Sequence, residues 1–431
     1  MSKTIGEQGS LIVPRRGGTP EPLEFPGGYP ERMPEFPFER LRRWPDVEAA
    51  NLFAVDASDR LILDEAAAAI AGQAGAAGSS ETAALAGLTP GQVVVLEDHY
   101  GALTLAAAAM LGAQPNIRVH QDALSGEHAL DRNAADLSGS EPFAGLAGAY
   151  RHLPLGADLL QGARVVLLQL PRSLAALDEL AGAIARFAAD DVTVIAGGRI
   201  KHMSVAMNEV LRRHFDELTV TPARQKSRVL VATRPILPDD SAASWPRSVE
   251  HADLGLTVCA HGAAFAGTTI DIGTRFLLDY LDRMKPDAAT AIDLGCGTGV
   301  LAAALALRRP GVQVLATDQS AAAVASATAT MQANGVADRV RVLRDDALGT
   351  QPDASSELIL LNPPFHIGSS VHAGIALKLF EDAARVLRPG GELWAVWNTH
   401  LGYRPALTRI VGQTHQVARN TKFTITVSTR R

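Results

Sequence analysis

Residues 290–300 read Thr-Ala-Ile-Asp-Leu-Gly-Cys-Gly-Thr-Gly-Val, the pattern of a strand that turns through glycines into a helix. The first five residues form an apolar run of strand length, and the segment from Val300 to Leu307 favours a helix. Gly295, Gly297 and Gly299 therefore fall in the turn between them. Glycine lets the backbone turn tightly and approach a ligand closely, beside the free N–H groups of a helix N-terminus. The stretch predicts a ligand-binding loop.

Acidic residues follow three successive predicted strands. Asp293, near the end of the first strand, disfavours a pyrophosphate ligand and favours a cationic one that bears an amine. Asp318 ends the next run, Gln313 to Thr317, about 20 residues past the glycines, where a ribose-binding acid is expected. A third run, Val340 to Arg344, ends in Asp345-Asp346-Ala347, well placed to meet an adenine edge. The alternative is a Rossmann-like domain for a nicotinamide or flavin cofactor, which the spacing of the glycines disfavours.

These three positions resemble the S-adenosyl-L-methionine site of the class I methyltransferases. The resemblance implies that Asp293 and the glycines surround the methionine portion, that Asp318 takes the ribose hydroxyls, and that Asp346 lies against adenine. Cys296 needs no role as a nucleophile or metal ligand, since a small side chain packed in the turn accounts for it. The predicted cofactor-binding residues are Asp293, Gly295, Cys296, Gly297, Gly299, Asp318, Asp346, Ala347 and Asn362.

A second motif, Asn362-Pro-Pro-Phe-His366, follows the buried-looking strand Leu358 to Leu361. Its two prolines end the strand and fix the backbone, so the Asn362 side-chain oxygen and the Pro363 carbonyl can be held in a set geometry. If each oxygen accepts one N–H of a planar amine, the nitrogen lone pair is freed to point at a sulfonium methyl, and Phe365 can stack on the base. No strong general base is then needed, and a paired base would have to be flipped out. The predicted catalytic residues are Asn362, Pro363, Pro364 and Phe365.

With this motif the chain resembles the bacterial ribosomal RNA guanine-N2 methyltransferases, in which a catalytic C-terminal domain follows a degenerate copy of itself. The segment Ala264 to Arg275 is similar to the family's approach to the cofactor site, although Ala266 stands where the family commonly has serine. The ending His400 to Phe423 looks more like the large-subunit (23S) enzyme than the small-subunit (16S) one. The resemblance implies a monomer that methylates the N2 amine of a guanine in ribosomal RNA. The residues expected to bind substrate are Phe365, His366, Arg419 and Lys422.

A weak internal repeat links the two halves of the chain. Four pairs of positions lie at nearly one spacing: Asp98 with Asp293 (195 residues), Asp122 with Asp318 (196), Pro171 with Pro363 (192) and Ala223 with Ala418 (195). The first half has Asp98-His-Tyr-Gly101 in place of the glycine loop, and Leu170-Pro-Arg-Ser173 in place of the Asn-Pro-Pro motif. The predicted fold class is therefore α/β, with two tandem Rossmann-like class I methyltransferase domains of which the N-terminal one is degenerate.

Composition divides the chain into four segments. Residues 1–45 are rich in Pro, Gly and charge and are expected to form an extended arm, and the punctuated residues 234–261 are expected to form a linker. Residues 46–233 are predicted to be the degenerate domain, which either positions RNA or only scaffolds its partner. Residues 262–431 are predicted to be the catalytic domain.

Charge and cysteine content limit the classes of function. The net charge is −6, with 17 Lys and Arg against 15 Asp and Glu from residue 251 onward, so the first half is acidic and nucleic acid is not held by bulk charge. The basic residues after Glu392 form either a solvated tail or a local patch that contacts phosphate. Two cysteines, no signal peptide and no long apolar run predict a cytoplasmic protein without a membrane span or a metal site.

Three other functions fit parts of the pattern. The Asn-Pro-Pro loop suits any planar NH₂ group, so the target could be a glutamine amide of a protein or the N6 amine of adenine. Glutamine methyltransferases usually have tyrosine where Phe365 stands, and they lack a duplicated domain. A catalytically silent RNA-binding protein is a different class, disfavoured by the intact glycine loop and Asn362.

Overall fold

The computed structural model describes residues 36–49, 51–75, 88, 90–112, 116–139, 141–237, 245–364 and 373–431. Phe365, His366 and most of the predicted arm lie outside these residues. In the described ranges the chain forms two seven-stranded sheets, one in each half, and a two-stranded sheet between them in sequence.

The first sheet has the strand order β3-β2-β1-β4-β5-β7-β6. Its strands are β1 (Val93–Leu96), β2 (Ile117–His120), β3 (Tyr150–His152), β4 (Val165–Gln169), β5 (Thr193–Arg199), β6 (Phe215–Val220) and β7 (Ser227–Pro235). Strands β1 to β5 are parallel, and β7 and β6 add an antiparallel pair at one edge. The central strands β1 and β4 are continuous apolar runs that are buried along their whole length, as expected for parallel strands covered on both faces.

The segment predicted as a linker contributes the two-stranded sheet. Strands β8 (Arg247–His251) and β9 (Leu256–Ala260) pair in antiparallel fashion. The backbone of β9 is bound by side chains of the second half, since the Thr257 N–H donates to Asn334 Oδ1 (2.9 Å) and the Cys259 N–H donates to Thr330 Oγ1 (3.0 Å). The hairpin is therefore packed on the second half.

The second sheet repeats the order of the first, as β12-β11-β10-β13-β14-β16-β15. Its strands are β10 (Thr290–Leu294), β11 (Gln313–Asp318), β12 (Val340–Arg344), β13 (Ser356–Leu361), β14 (Leu387–Asn398), β15 (Gly412–Arg419) and β16 (Phe423–Arg430). Strands β10 to β14 are parallel, and β16 and β15 are antiparallel to their neighbours. The strand order reverses between β10 and β13, and ligands of open α/β sheets bind at such switch points.

Helices cover both faces of each sheet and complete three layers. They are α1 (Ala57–Gly75), α2 (Ala102–Leu111), α3 (Leu124–Ser138), α4 (Ala157–Leu160), α5 (Leu174–Phe187), α6 (Val205–His214), α7 (Ile272–Leu278), α8 (Val300–Arg308), α9 (Ala321–Ala333), α10 (Ala373–Val386) and α11 (Arg404–Ile410). In the second half, alternate residues of β13 explain the two cores. Leu358 belongs to one apolar cluster with Leu305 of α8, whereas Ile359 belongs to another with Phe380 of α10.

The shared strand order confirms the predicted duplication. In the first sheet β1 pairs with β2 on one side and β4 on the other, and in the second sheet β10 pairs in the same way with β11 and β13.

The two halves meet where β2 and β11 end. Ala123 and Ser320 form an antiparallel bridge, flanked by hydrogen bonds from the Leu124 N–H to the Gln319 carbonyl (3.0 Å) and from the Ala321 N–H to the Asp122 carbonyl (2.8 Å). This contact joins the ends of corresponding strands, and the helices α3 and α9 begin directly after it. The junction therefore lies beside the carboxyl edge of the second sheet.

Candidate active site

A cavity of about 550 Å³ lies at the carboxyl edge of the second sheet. It is bounded by the ends of β10, β11 and β13, next to the switch point of the strand order. The predicted site residues that line it are Asp293, Gly295, Cys296, Gly297, Asp318, Asp346, Ala347, Asn362, Pro363 and Pro364. The structure thus brings predicted site residues from four separate segments of the second half around one space.

The three glycines of the loop differ in their surroundings. All have positive φ angles, of 69° at Gly295, 53° at Gly297 and 78° at Gly299. A Cβ atom added at Gly295 or Gly297 would meet no heavy atom within 4 Å, so both leave room for a ligand. At Gly299 it would lie 2.6 Å from Met331 Cε and 3.0 Å from Ala327 Cβ. Gly299 therefore allows α8 and α9 to pack closely and does not line the cavity.

Asp293 is completely buried at the end of β10. Its carboxylate accepts a hydrogen bond from the Ala302 N–H of α8 (3.0 Å) and so binds the N-terminal turn of that helix. Burial raises the pKa of Asp293 to about 7, and the negative charge of Asp318 adds to this effect. A buried acid with a raised pKa is stabilised as a carboxylate when a cation binds beside it.

Asp318 lies opposite the glycine loop. One carboxylate oxygen accepts from the Gly297 N–H (2.9 Å) and the other from the Ser320 N–H (3.0 Å). Burial raises the pKa of Asp318 despite these bonds. A buried acid and a half-buried one beside an open glycine loop fit a ligand that carries positive charge and hydroxyl donors, which are the chemical features of S-adenosyl-L-methionine.

The other predicted cofactor residues form the neighbouring wall. Asp346 forms an ion pair with Lys378 of α10 (2.5 Å), and Ala347 has a φ of 60° and is buried. Burial raises the pKa of the Cys296 thiol, so this side chain is protonated at neutral pH. It is a small packed residue of the loop, in keeping with the sequence interpretation.

Asn362 is oriented by two residues of the lead-in segment. Its Nδ2 donates to Asp271 Oδ2 and to Thr274 Oγ1, both at 3.0 Å. A carboxylate accepts hydrogen bonds and cannot donate them, so Asp271 requires the NH₂ side of the amide to face it. The opposite atom, Asn362 Oδ1, is buried without a hydrogen-bond partner, and Asn362 lines the cavity. The side chain therefore offers a free acceptor that a ligand N–H can satisfy.

Comparison with known proteins identifies the family. The family models described as RLMG N-terminal domain and Methyltransferase small domain match residues 33–235 and 255–427. A relative from Streptomyces avermitilis, named ribosomal RNA large subunit methyltransferase G, is 33% identical over 420 residues, which are 94% of this chain and 98% of the relative. A relative of the same name from Pseudomonas aeruginosa is 32% identical over 398 residues, 91% of this chain and 99% of the relative.

The chain belongs to the ribosomal RNA large subunit methyltransferase G family. This confirms the resemblance drawn from the sequence, including the large-subunit type. The T. thermophilus 16S rRNA N2 methyltransferase RsmC, solved with AdoMet and guanosine, has a similar fold, with a TM-score of 0.64 over 80% of this chain and 90% of its own at 21% identity. The predicted fold of two tandem Rossmann-like methyltransferase domains is likewise confirmed.

Several residues of the site in this family member were not predicted. Asp271 and Thr274 orient Asn362, and Phe423 and Asn398 line the cavity beside it. The segment Ala264 to Arg275 was recognised as a lead-in, and Asp271 has the position of a helix N-cap, so the signal for two of them was present. Asn398 ends β14 and Phe423 begins β16, so these two could be found only from the sheet topology.

The predicted substrate residues have different outcomes. Phe365 and His366 lie outside the described residues. Arg419 and Lys422 are exposed at the turn between β15 and β16, and neither is among the residues that line the cavity. The first half supplies unexpected wall residues instead: Pro45, Asp46, Val47, Asp122, Ala123 and Ser125. The cavity is therefore built by both halves.

The corresponding place in the first half is filled by protein. Asp98 accepts hydrogen bonds from the Leu103 and Thr104 N–H groups (2.8 Å each), as Asp293 does from Ala302, but the turn from Asp98 to Gly101 is shorter. A Cβ at Gly126 would lie 2.5 Å from the His99 carbonyl oxygen, so α3 packs directly on this turn. Gln169, at the end of β4, donates its Nε2 to Asp59. The first half keeps the frame of a methyltransferase without its ligand loop.

Two classes of feature are missing from the described part of the chain. Its residues contain no group of three or more His, Cys, Asp or Glu side chains arranged to hold a metal ion. None of its helices combines the length and apolarity that a membrane span requires.

Proposed function

We propose that this chain transfers a methyl group from S-adenosyl-L-methionine to the exocyclic N2 amine of a guanine in large-subunit (23S) ribosomal RNA, acting in the bacterial cytoplasm. Its family and the name of its relatives support the RNA substrate. The observation that supports the chemistry best is Asn362, whose Oδ1 is buried and unpartnered while its NH₂ group is held by Asp271 and Thr274.

The cofactor supplies an electrophilic methyl group on a sulfonium. Asp293 and the backbone of Gly295 and Gly297 are the residues that would hold its charged amino acid portion. Asp318 would bind the ribose hydroxyls, and Asp346 and Ala347 would border the adenine. These assignments are supported by the raised pKa of both acids and by the open space above the glycines.

Asn362 prepares the amine for attack. The nitrogen lone pair of a guanine N2 amine is delocalised into the ring, so the amine is a weak nucleophile. Oδ1 of Asn362 accepts one N–H, and the carbonyl of Pro363 accepts the other. This geometry turns the lone pair out of the ring plane and holds the nitrogen in line for displacement. Phe365 stacks on the base, and the proton leaves after transfer, when the nitrogen has become acidic, with His366 as the candidate relay.

The two halves divide the work. The residues 262–431 carry the reaction, and the residues 46–233 complete one wall of the cavity and contact the RNA.

The substitution Asn362→Ala removes the acceptor while leaving the glycine loop and both acids in place. We expect it to lower methyl transfer by at least about a hundredfold, because amine and methyl lose their alignment, with cofactor affinity partly kept.

The measurement is transfer of radiolabelled methyl to ribosomal RNA from a strain that lacks this gene, followed by nucleoside analysis. Label in N2-methylguanosine of 23S RNA supports the proposal. Label in N6-methyladenosine or in a protein fraction would move the target to the alternatives, and full activity of Asn362→Ala would refute the role of the amide.

A further inference from the structure

A cluster of positive charge lies at the carboxyl edge of the first sheet. Arg172 follows β4, Arg199 is the last residue of β5, and Lys201 and His202 lie in the turn after it. The Arg172 guanidinium contacts His202 Nε2 at 3.2 Å. Burial lowers the pKa of His202, and the positive charges of Arg172, Lys201 and Arg199 add to this effect. Arg172 and Lys201 are exposed, and Arg199 and His202 are half-buried.

These cations are not neutralised by neighbouring acids. Among the described residues, Arg172, Arg199 and Lys201 form no ion pair with an acidic side chain, and the carboxylate nearby, Asp56, is bound by the Ser58 N–H (2.6 Å). The same half pairs many of its other arginines with acids: Arg42, Arg43, Arg164, Arg212, Arg213, Arg224, Arg234 and Arg247. Acidic residues outnumber basic ones in this half, so three cations gathered at one edge without an ion pair fit an anionic partner.

The cluster is next to the entrance of the cavity. Ser173, adjacent to Arg172, donates its hydroxyl to the Gly262 carbonyl (3.1 Å), and the following residues Ala263 and Phe265 line the cavity. Phe265 is 74% exposed, so this stretch forms the rim. The cluster therefore lies beside one side of this rim.

We propose that Arg172, Arg199 and Lys201 bind the phosphate backbone of the RNA beside the target nucleotide. This inference rests on the proposed function, because it takes the cavity to hold a base of that RNA. The carboxyl edge of the second sheet binds the cofactor, and the carboxyl edge of the first sheet binds phosphate. Guanidinium groups suit this task because they bind phosphate oxygens in pairs.

The test compares two triple variants of the full chain. Arg172→Ala/Arg199→Ala/Lys201→Ala removes the cluster, and Arg186→Ala/Arg212→Ala/Arg213→Ala removes the same charge near the C-terminal ends of α5 and α6, at the opposite edge of the sheet. Binding of unmodified 23S RNA transcript is measured from low to high KCl. We expect the slope of log Kd against log [KCl] to fall by about two to three for the cluster variant and to stay at the wild-type value for the control. The KM for RNA should rise about tenfold with kcat changed less than about twofold.

A second variant separates charge from folding. Arg172→Lys/Arg199→Lys keeps both charges and should keep the salt slope. A cluster variant with the slope and KM of the wild type, or a control with the same loss, would overturn the inference. Binding of polyglutamate gives a further comparison. If the cluster variant loses affinity for polyglutamate but binds RNA as the wild type does, the cluster serves an acidic protein partner and the inference is overturned. Wild-type protein that methylates no RNA would instead contradict the proposed function, and the salt slopes would still decide the role of the cluster.

Discussion

The orientation of Asn362 follows from the chemistry of its neighbours. An asparagine amide can present either its oxygen or its NH₂ group to a cavity, and the two choices give opposite functions. Asp271 decides between them because a carboxylate can only accept. It is fixed in turn by the Gly273 and Thr274 N–H groups of α7, which it caps. The motif could be read from the sequence, but its orientation depends on a residue 91 positions away.

At the same scale, Asp293 makes cofactor affinity depend on pH. Its pKa of about 7 in the free protein lies well above the ordinary value of an aspartate, and a cationic ligand favours its charged form. Below pH 7 the acid is protonated, and binding must remove that proton. We expect the Kd for S-adenosyl-L-methionine to rise as pH falls through 7, by roughly tenfold for each further unit at most. Calorimetry at pH 6, 7 and 8 measures this.

Asp293→Asn tests the assignment, since the amide oxygen can still accept from Ala302. Asp293→Asn should bind S-adenosyl-L-methionine more weakly than the wild type at pH 8, and its Kd should depend less on pH. The amine of the ligand also titrates, but this affects the wild type and the variant equally. Asp98→Asn is the matched control, because Asp98 makes the corresponding bonds in the first half and burial raises its pKa to about 6. An unchanged pH profile in Asp293→Asn would show that another group titrates.

At the scale of elements, the strand-turn-helix unit was predictable because it is local. Apolar runs and glycines placed β10 and α8 correctly, and Asp318 at the end of β11. The wall formed by Asp122 to Ser125 was not predictable, since nothing local marks a turn of the first half as part of the second half's cavity.

The loop of this unit provides a matched pair of substitutions. Gly295 and Gly335 have φ angles of 69° and 65°, and an added Cβ at either meets no atom within 4 Å. Gly295→Ala and Gly335→Ala should therefore each destabilise the protein by about 1–2 kcal/mol, measured as the free energy of unfolding in urea. Gly295→Ala alone places a methyl group in the cavity and should raise the Kd for the cofactor about tenfold or more. Equal affinities in the two variants would contradict the assignment of Gly295 to the cofactor site.

At the scale of the whole molecule, the two halves act as one unit although only one carries the ligand loop. Arg344 of β12 illustrates this, since it pairs with Glu127 of α3 (2.8 Å) and donates to the Asp122 carbonyl (3.1 Å). The duplication was visible in the sequence as a faint repeat. The way in which the copies meet was not, because it depends on a backbone bridge between Ala123 and Ser320, which no local sequence pattern marks.

This junction predicts that the cofactor stabilises the first half as well as the second. Asp122 lines the cavity and also accepts from Ser320 Oγ (2.8 Å) and the Ala322 N–H (2.9 Å), so a ligand that orders β11 and α9 also orders the turn at Asp122. Ligand at about 100 times its Kd adds roughly 2.7 kcal/mol to the folded state. Hydrogen exchange of the full chain should therefore slow in peptides 117–130 and 313–333. The peptide 205–220, whose side-chain hydrogen bonds and ion pairs among the described residues stay within the first half, should change little. Protection confined to the second half would mean that the two halves respond to the cofactor independently. The cavity-lining residues of the first half would then contact the site without contributing to stabilisation by the cofactor.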